Sequence, residues 1–337
     1  MRCVAWVAAA VIGFPAAATE VFILPTANRA LFEPAGPAAF FAPVPGRDWN
    51  SGRFGCVRSD GRQLHEGLDI LPIQRDRQGE PMDPVLAVAG GTVAYINDRP
   101  GLSNYGRYVV LRHTVEGLEV FTLYAHLRDV APGLREGAAL RQGQRLGTLG
   151  RTTNTKTPIT KDRAHLHFEV NLLLNDDFAR WHRASLPGQR NDHGAWNGRN
   201  LMGLDPEALY RAQQAAGRGF SFAAHVRGQE ELCRVLVPAG RFPFLRRYAP
   251  LVLRNPRAER EGIAAFEVSL TMNGAPFRLL PRARSELDGP PQVRVLAVNE
   301  PVQARHGCRR LGIKRGQLWT LAAGGQQLIS LLTHVPK

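Results

Sequence analysis

The run Ala164-His165-Leu166-His167-Phe168-Glu169-Val170 constrains this chain more than any other stretch. Polar–apolar alternation over so few residues predicts a half-buried strand, with side chains two apart on one face and about 6.5–7 Å from each other. His165 and His167 then project side by side while Leu166 and Phe168 enter the core. Taken alone, two histidines on a solvated strand face are commoner than a metal site, so the weight falls on what the rest of the chain places beside them.

Short apolar runs punctuated by 34 Gly and 24 Pro favour a mainly β architecture over a helical bundle. Val85 to Ile96 reads as a strand pair or bulged strand around Gly90-Gly91. Tyr108 to Arg112 and Val120 to Tyr124 read as a hairpin turning at Glu116-Gly117, and Gly143 to Leu149 as a further short strand. Residues 176–200 are polar and aperiodic, which predicts a long loop. Asp205-Pro206-Glu207 starts an amphipathic helix with Pro in its first turn. After Gly217 and Gly219 the pattern changes: Phe266 to Met272 and Phe277 to Leu279 flank Asn273-Gly274, a strong hairpin signal. Val293 to Ala297, Leu318 to Leu321 and Leu328 to Leu332 read as further strands, the last two flanking Gly324-Gly325. With 337 residues there is room for two cores. The expected division is an N-terminal arm over 19–50, a first β domain over 51–215 and a β-rich accessory domain over 220–337.

Arg2, the apolar stretch Val4 to Phe14 and Ala16-Ala17-Ala18 form a signal-peptide pattern over residues 1–18, too short to span a membrane. No later apolar run is long enough to do so, and Cys3 lies outside any lipoprotein-type box, so an exported protein without a transmembrane segment is expected. Removal of Cys3 leaves Cys56, Cys233 and Cys308. An odd count in an oxidising compartment implies one bridge and one leftover thiol. Their shared C-terminal location suggests pairing Cys233 with Cys308. A net charge of +14, carried almost wholly by Arg, favours polyanions. The charge is scattered, with no basic helix or aromatic–basic interleaving, which argues against nucleic acid. A soluble Arg-rich surface without any polyanion ligand fits the same composition.

His65 and Asp69 lie four apart, His126 follows a strand, and His165 and His167 share a strand face. A zinc hydrolase needs three imidazole or carboxylate ligands, an open position, and further groups that move protons or hold an oxyanion. These five residues supply that inventory. In order, His65-x-x-x-Asp69, Leu123-Tyr124-Ala125-His126-Leu127 and His165-Leu166-His167-Phe168-Glu169-Val170 resemble the signature set of the lysostaphin-like (LytM-type) zinc endopeptidases. So do Val85-x-Ala87-x-Ala89-Gly90-Gly91-x-Val93, Gly143-Gln144-x-x-Gly147-x-x-Gly150 and Leu204-Asp205-Pro206. The resemblance covers about residues 51–210 and nothing beyond them.

It implies an antiparallel β-sheet or sandwich peptidase domain of the duplicated hybrid motif type. It also implies one zinc ion held by His65, Asp69 and His167, with His126 and His165 as the catalytic pair. Strand geometry agrees, because with His167 on the metal a residue two positions away is too distant to ligate without strain. The implied substrate is peptidoglycan, cleaved at stem or cross-bridge peptides in the periplasm or outside the cell. Two alternatives use the same sequence: a silent relative that binds the wall or activates another hydrolase, and a zinc protease of other secreted peptides. Glu169 shares the histidine face and could orient His167, but a solvated or ion-paired carboxylate is the simpler expectation. Tyr124 reads as core or groove wall, and His113, His182, His193, His225, His306 and His334 as surface or packing residues. Three departures from the family pattern bear on the substrate: an insertion at 74–84, a long polar loop at 152–163, and Arg107 where relatives carry a small polar residue.

Overall fold

The computed structural model describes residues 21–34 and 36–335, so the expected signal peptide lies outside the described residues. Strand outweighs helix, and the sheets are antiparallel. The main sheet runs in the order Leu201–Leu204, Leu166–Leu173, Leu118–Leu127, Arg107–Val115, Gly91–Asn97, Ala139–Leu140, with Leu68–Ile70 added against Leu166–Leu173. The predicted hairpin forms Arg107–Val115 and Leu118–Leu127, with Glu116 and Gly117 both at positive φ in its turn. Pro84–Leu86, Arg145–Thr148 and Asp129–Val130 make a separate three-stranded sheet, so the Val85 to Ile96 segment divides between two sheets. A register shift between Val93 and Tyr95 supplies the bulge.

Strand Leu166–Leu173 is buried along its whole length rather than on one face. Leu166, Phe168, Val170 and Leu172 join the principal core. The opposite face is covered as well. Tyr105 donates its hydroxyl to Glu169 at 3.0 Å. A smaller apolar cluster of Tyr108, Val110, Phe121, Leu123 and Leu201 carries Tyr105 and Trp196 on its rim. Both coverings come from segments distant in sequence, which strand periodicity does not encode.

The C-terminal sheet has the order Pro276–Arg282, Ala265–Leu270, Cys233–Pro238, Arg294–Val298. The Asn273-Gly274 hairpin forms, with Gly274 at φ 96°. Asn273 itself is buried and donates its side-chain amide to the Gly203 carbonyl, joining this hairpin to the edge strand of the main sheet. Tyr248 accepts the Leu173 N–H at 2.7 Å, and Arg247 pairs with Glu119 and Asp176. One apolar core runs continuously from Phe22 and Phe168 through Val235 and Phe277 to Leu332. Among the arm residues, Phe22, Phe40 and Phe41 are fully buried in it.

Three expectations are corrected. Residues 176–200 contain a helix, Phe178–Ser185, because Phe178, Trp181 and His182 fall on one buried face. Leu328 to Leu332 belong to helix Ala323–Leu332, not to a strand. Gly325 there serves close packing instead of a turn: a Cβ would sit 2.2 Å from the Leu311 carbonyl oxygen. The disulfide joins Cys56 to Cys308 and leaves Cys233 free. Cys233 opens the strand paired with both neighbours of its sheet, buried at 1% exposure, and burial pushes its thiol up to about 12. Nearness in sequence did not mean nearness in space.

Candidate metal centre and groove

Register brings the ligands together. Strand Gln63–His65 ends on His65, and Leu68–Ile70 pairs with Leu166–Leu173 so that Asp69 lies directly opposite His167. Directly opposed residues have Cβ atoms about 5 Å apart, close enough for one ion between them. Gly67 permits the approach, since a Cβ there would lie 2.2 Å from the Phe168 carbonyl oxygen. His65 Nε2, Asp69 Oδ1 and His167 Nδ1 converge at 3.0, 3.0 and 3.1 Å from one another, and all three residues are buried.

The outer ring atoms are committed elsewhere. His65 Nδ1 donates to the Arg53 carbonyl at 2.7 Å, and His167 Nε2 donates to Glu169 at 2.8 Å. Those bonds assign the tautomers and turn a bare lone pair of each ring inward. Three acceptors facing one another out of water repel unless a cation lies among them. Burial alone would lower the His167 imidazole, but Asp69 and Glu169 hold it up at about 10, so that a proton on the inward Nδ1 and a metal ion compete for the same lone pair. Burial would raise the Asp69 carboxyl, yet His165, His65 and Arg58 hold it well below the usual carboxylate range. The centre thus favours positive charge. Two imidazoles and a carboxylate with one side open suit zinc, for which tetrahedral ligand atoms lie about 3.3 Å apart.

His126 and His165 stand beside this triad, their rings 4.9 Å apart. His126 adopts a left-handed φ of 62°, and its Nδ1 donates to the Thr152 carbonyl at 2.9 Å. His165 Nδ1 donates to the Arg163 carbonyl at 2.7 Å. Each ring therefore carries its proton on Nδ1 and leaves Nε2 to accept. Burial, then the neighbouring His165 and His167, pushes His126 down to about 3; burial also lowers His165. Both are neutral near pH 7.

Several residues of the site had weaker signals or none. Glu169 is fully buried and holds His167, Tyr105 and Asn171 at 2.8, 3.0 and 2.9 Å; of the solvated or ion-paired carboxylate expected, it is the paired form, and its partner is the ligand His167. Its place on the histidine face was the available signal. Arg58 donates to Asp69 and lies 3.0 Å from His65 Nε2; nothing in its local pattern marked it. His193 is buried against Tyr95 and Tyr108, and its Nε2 has no partner. Tyr124 is core, as expected.

The triad opens into a groove of about 990 Å³. The departure at 152–163 lines one wall, and the departure at 74–84 is hydrogen-bonded to it. Arg151 makes two hydrogen bonds to Glu80, and Arg75 donates to the Lys161 and Asp162 carbonyls. Another wall includes Arg199 and, from the C-terminal region, Arg309.

Residues 63–177 match the family model described as Peptidase family M23. A Pseudomonas aeruginosa protein described as a lipoprotein NlpD/LppB homolog is 33% identical over 136 residues, covering 40% of this chain and 37% of the relative. The chain thus matches little more than a third of that relative's length. Similar solved structures include a zinc-containing peptidase from Vibrio cholerae, at 26% identity and TM-score 0.23 over 40% of this chain and 30% of that one. The catalytic domain of lysostaphin from Staphylococcus simulans shares 18% identity at TM-score 0.28, over 51% and 89%. The superpositions are weak, and the sequence match carries the assignment. Residues 63–177, which hold His65, Asp69, His126, His165 and His167 alike, match peptidase family M23.

Proposed function

We propose that the chain is an exported zinc endopeptidase that hydrolyses peptide bonds of bacterial peptidoglycan. The observation that carries the reading is the inward-facing trio His65 Nε2, Asp69 Oδ1 and His167 Nδ1 beside two histidines with bare Nε2 atoms. Zinc bound by these donors would supply Lewis acidity toward water and toward the scissile carbonyl. His126 and His165, neutral and anchored through Nδ1, are placed to accept a proton from the attacking water through Nε2. Once protonated, the same atom can donate to the developing oxyanion or the leaving amine. The walls of the groove hold the peptide and limit its rotation. Export rests on the signal pattern at residues 1–18, and the wall substrate on the family together with the basic surface. No helix among the described residues is long and apolar enough to cross a membrane.

The test is digestion of purified peptidoglycan by zinc-loaded protein, with and without a chelator, followed by mass analysis of the fragments. Chelator-sensitive release of peptide-cleaved muropeptides is expected; intact peptides after incubation with folded, zinc-loaded protein sink the reading. One observation favours a silent relative: the Arg58 guanidinium, a cation, contacts two of the three ligand residues. If Arg58 excludes the metal, Arg58→Ala binds zinc far more tightly than the parent. Equal affinity removes that alternative's support.

A further inference from the structure

The hairpin of strands Gly312–Arg315 and Leu318–Leu321 is rooted in the fold and exposed at its tip. At its root Leu311 is buried, and Gly325 of the last helix packs against the Leu311 carbonyl. Cys308, three residues earlier, is bonded to Cys56, which ties the base to the peptidase region. Strand Arg294–Val298 lies alongside, with Val298 against Gly312. In the register Arg315 opposes Leu318 and Ile313 opposes Thr320, so these four share one face of the hairpin. That face points away from the core. Leu318 is 72% exposed, more than any other large apolar side chain among the described residues, and Arg315 and Thr320 are exposed with it. On the other face Leu321 packs against the core, and Trp319 is half-buried with Lys314 Nζ 5.7 Å from its ring centre.

Charge follows the same stretch. Residues 293–321 carry Arg294, Arg305, Arg309, Arg310, Lys314 and Arg315 against a single acid, Glu300, which pairs with Lys314 at 2.8 Å. Arg310 and Arg315 are exposed and make no hydrogen bond or ion pair among the described residues. Leu296, on the adjoining strand, is a second exposed apolar side chain. An anionic polymer alone would satisfy the guanidinium groups and leave Leu318 in water. A lipid surface takes both: acyl chains bury the leucine, headgroup phosphates accept from arginine, and Trp and Lys suit the boundary between them.

We propose that this hairpin docks the protein on an anionic lipid surface, with Leu318 among the acyl chains and Arg310 and Arg315 at the headgroup phosphates. The inference goes beyond the endopeptidase reading and does not depend on it. Arg309 lines the groove and Gly312 starts the hairpin three residues on, a reach of at most about 11 Å, so docking keeps the groove close to the membrane.

The test sediments the mature chain, from residue 19, with vesicles of phosphatidylcholine alone or of phosphatidylcholine and phosphatidylglycerol in equal parts. The anionic vesicles should bind at least about tenfold more tightly, and added salt should erode the difference. Leu318→Ser should weaken binding to them by about tenfold or more, since one leucine is no longer buried. Arg310→Gln and Arg315→Gln should each weaken it by about fivefold. Ile263→Ser removes another exposed apolar side chain of the C-terminal region, 47% exposed, and should leave affinity within about twofold. Unchanged thermal unfolding midpoints show that each variant is folded. A parent that does not bind anionic vesicles, a Leu318→Ser protein that binds as tightly as the parent, or an equal loss in Ile263→Ser overturns the proposal. Sedimentation with purified peptidoglycan but not with vesicles assigns the face to the wall and overturns it as well.

Discussion

Replacing Glu169 by Gln should weaken zinc binding without unfolding the protein, and the structure says why. Glu169 is fully buried and accepts from His167 Nε2 and Tyr105 Oη on Oε1, and from Asn171 Nδ2 on Oε2. Glu169→Gln keeps an oxygen for the first two donors. The new NH2 would meet the Asn171 amide donor, but Asn171 Oδ1 is buried without a partner, so rotating that amide restores an acceptor. What is lost is the negative charge that strengthens His167 as a ligand. Partners of this kind cost about 10–100-fold in metal affinity when removed, or about 1.4–2.8 kcal/mol. Competition with a chromophoric chelator measures that affinity directly, and thermal unfolding of the metal-free protein checks the fold. Glu169→Ala is the contrast: three buried donors lose their acceptor, at about 1–3 kcal/mol each before relaxation, so the metal-free protein itself should melt lower. Zinc affinity within twofold of the parent in a folded Glu169→Gln protein would show that Glu169 does not tune His167.

The histidines should separate into two classes. His65→Ala and His167→Ala lose zinc, whereas His126→Ala and His165→Ala retain it and lose turnover; equal metal loss in all four, read by metal analysis after gel filtration, refutes the division. The Cys56→Ser/Cys308→Ser double variant removes a link spanning 252 residues of sequence, worth up to about 5 kcal/mol by chain entropy. A midpoint in urea unchanged from the oxidised parent would contradict that. Asp205 caps helix Pro206–Ala216 through two backbone N–H groups, yet burial raises its carboxyl to about 6. The folded state holds this proton more tightly than the unfolded chain, so the contribution is full below about pH 4 and is lost as pH rises through about 6. Asp205→Asn keeps the cap and should remove that decline, adding about 1–3 kcal/mol at pH 8. Parallel stability–pH curves for parent and variant would exclude the effect.

Much of the centre was legible from local pattern. Period two predicted that His165 and His167 share a face, and the three motifs named the five residues the fold brings together. Glu169 lay within reach of the same reasoning, but alternation cannot tell a solvated carboxylate from one roofed by Tyr105. The C-terminal half was read less well. Gly324-Gly325 resembled a turn because a glycine kept for helix packing and one kept for a bend look alike in sequence.

The chain alone determined which groups could meet a metal, because strand periodicity and motif spacing are short-range consequences of backbone geometry. Tertiary structure decided the rest. It opposed Asp69 to His167, fixed the His65 and His126 tautomers through the Arg53 and Thr152 carbonyls of other segments, joined Cys56 to Cys308 and brought Arg309 into the groove. Those pairings cross up to 252 residues of sequence. They are selected by burial and packing of the whole chain, so no local window contains them.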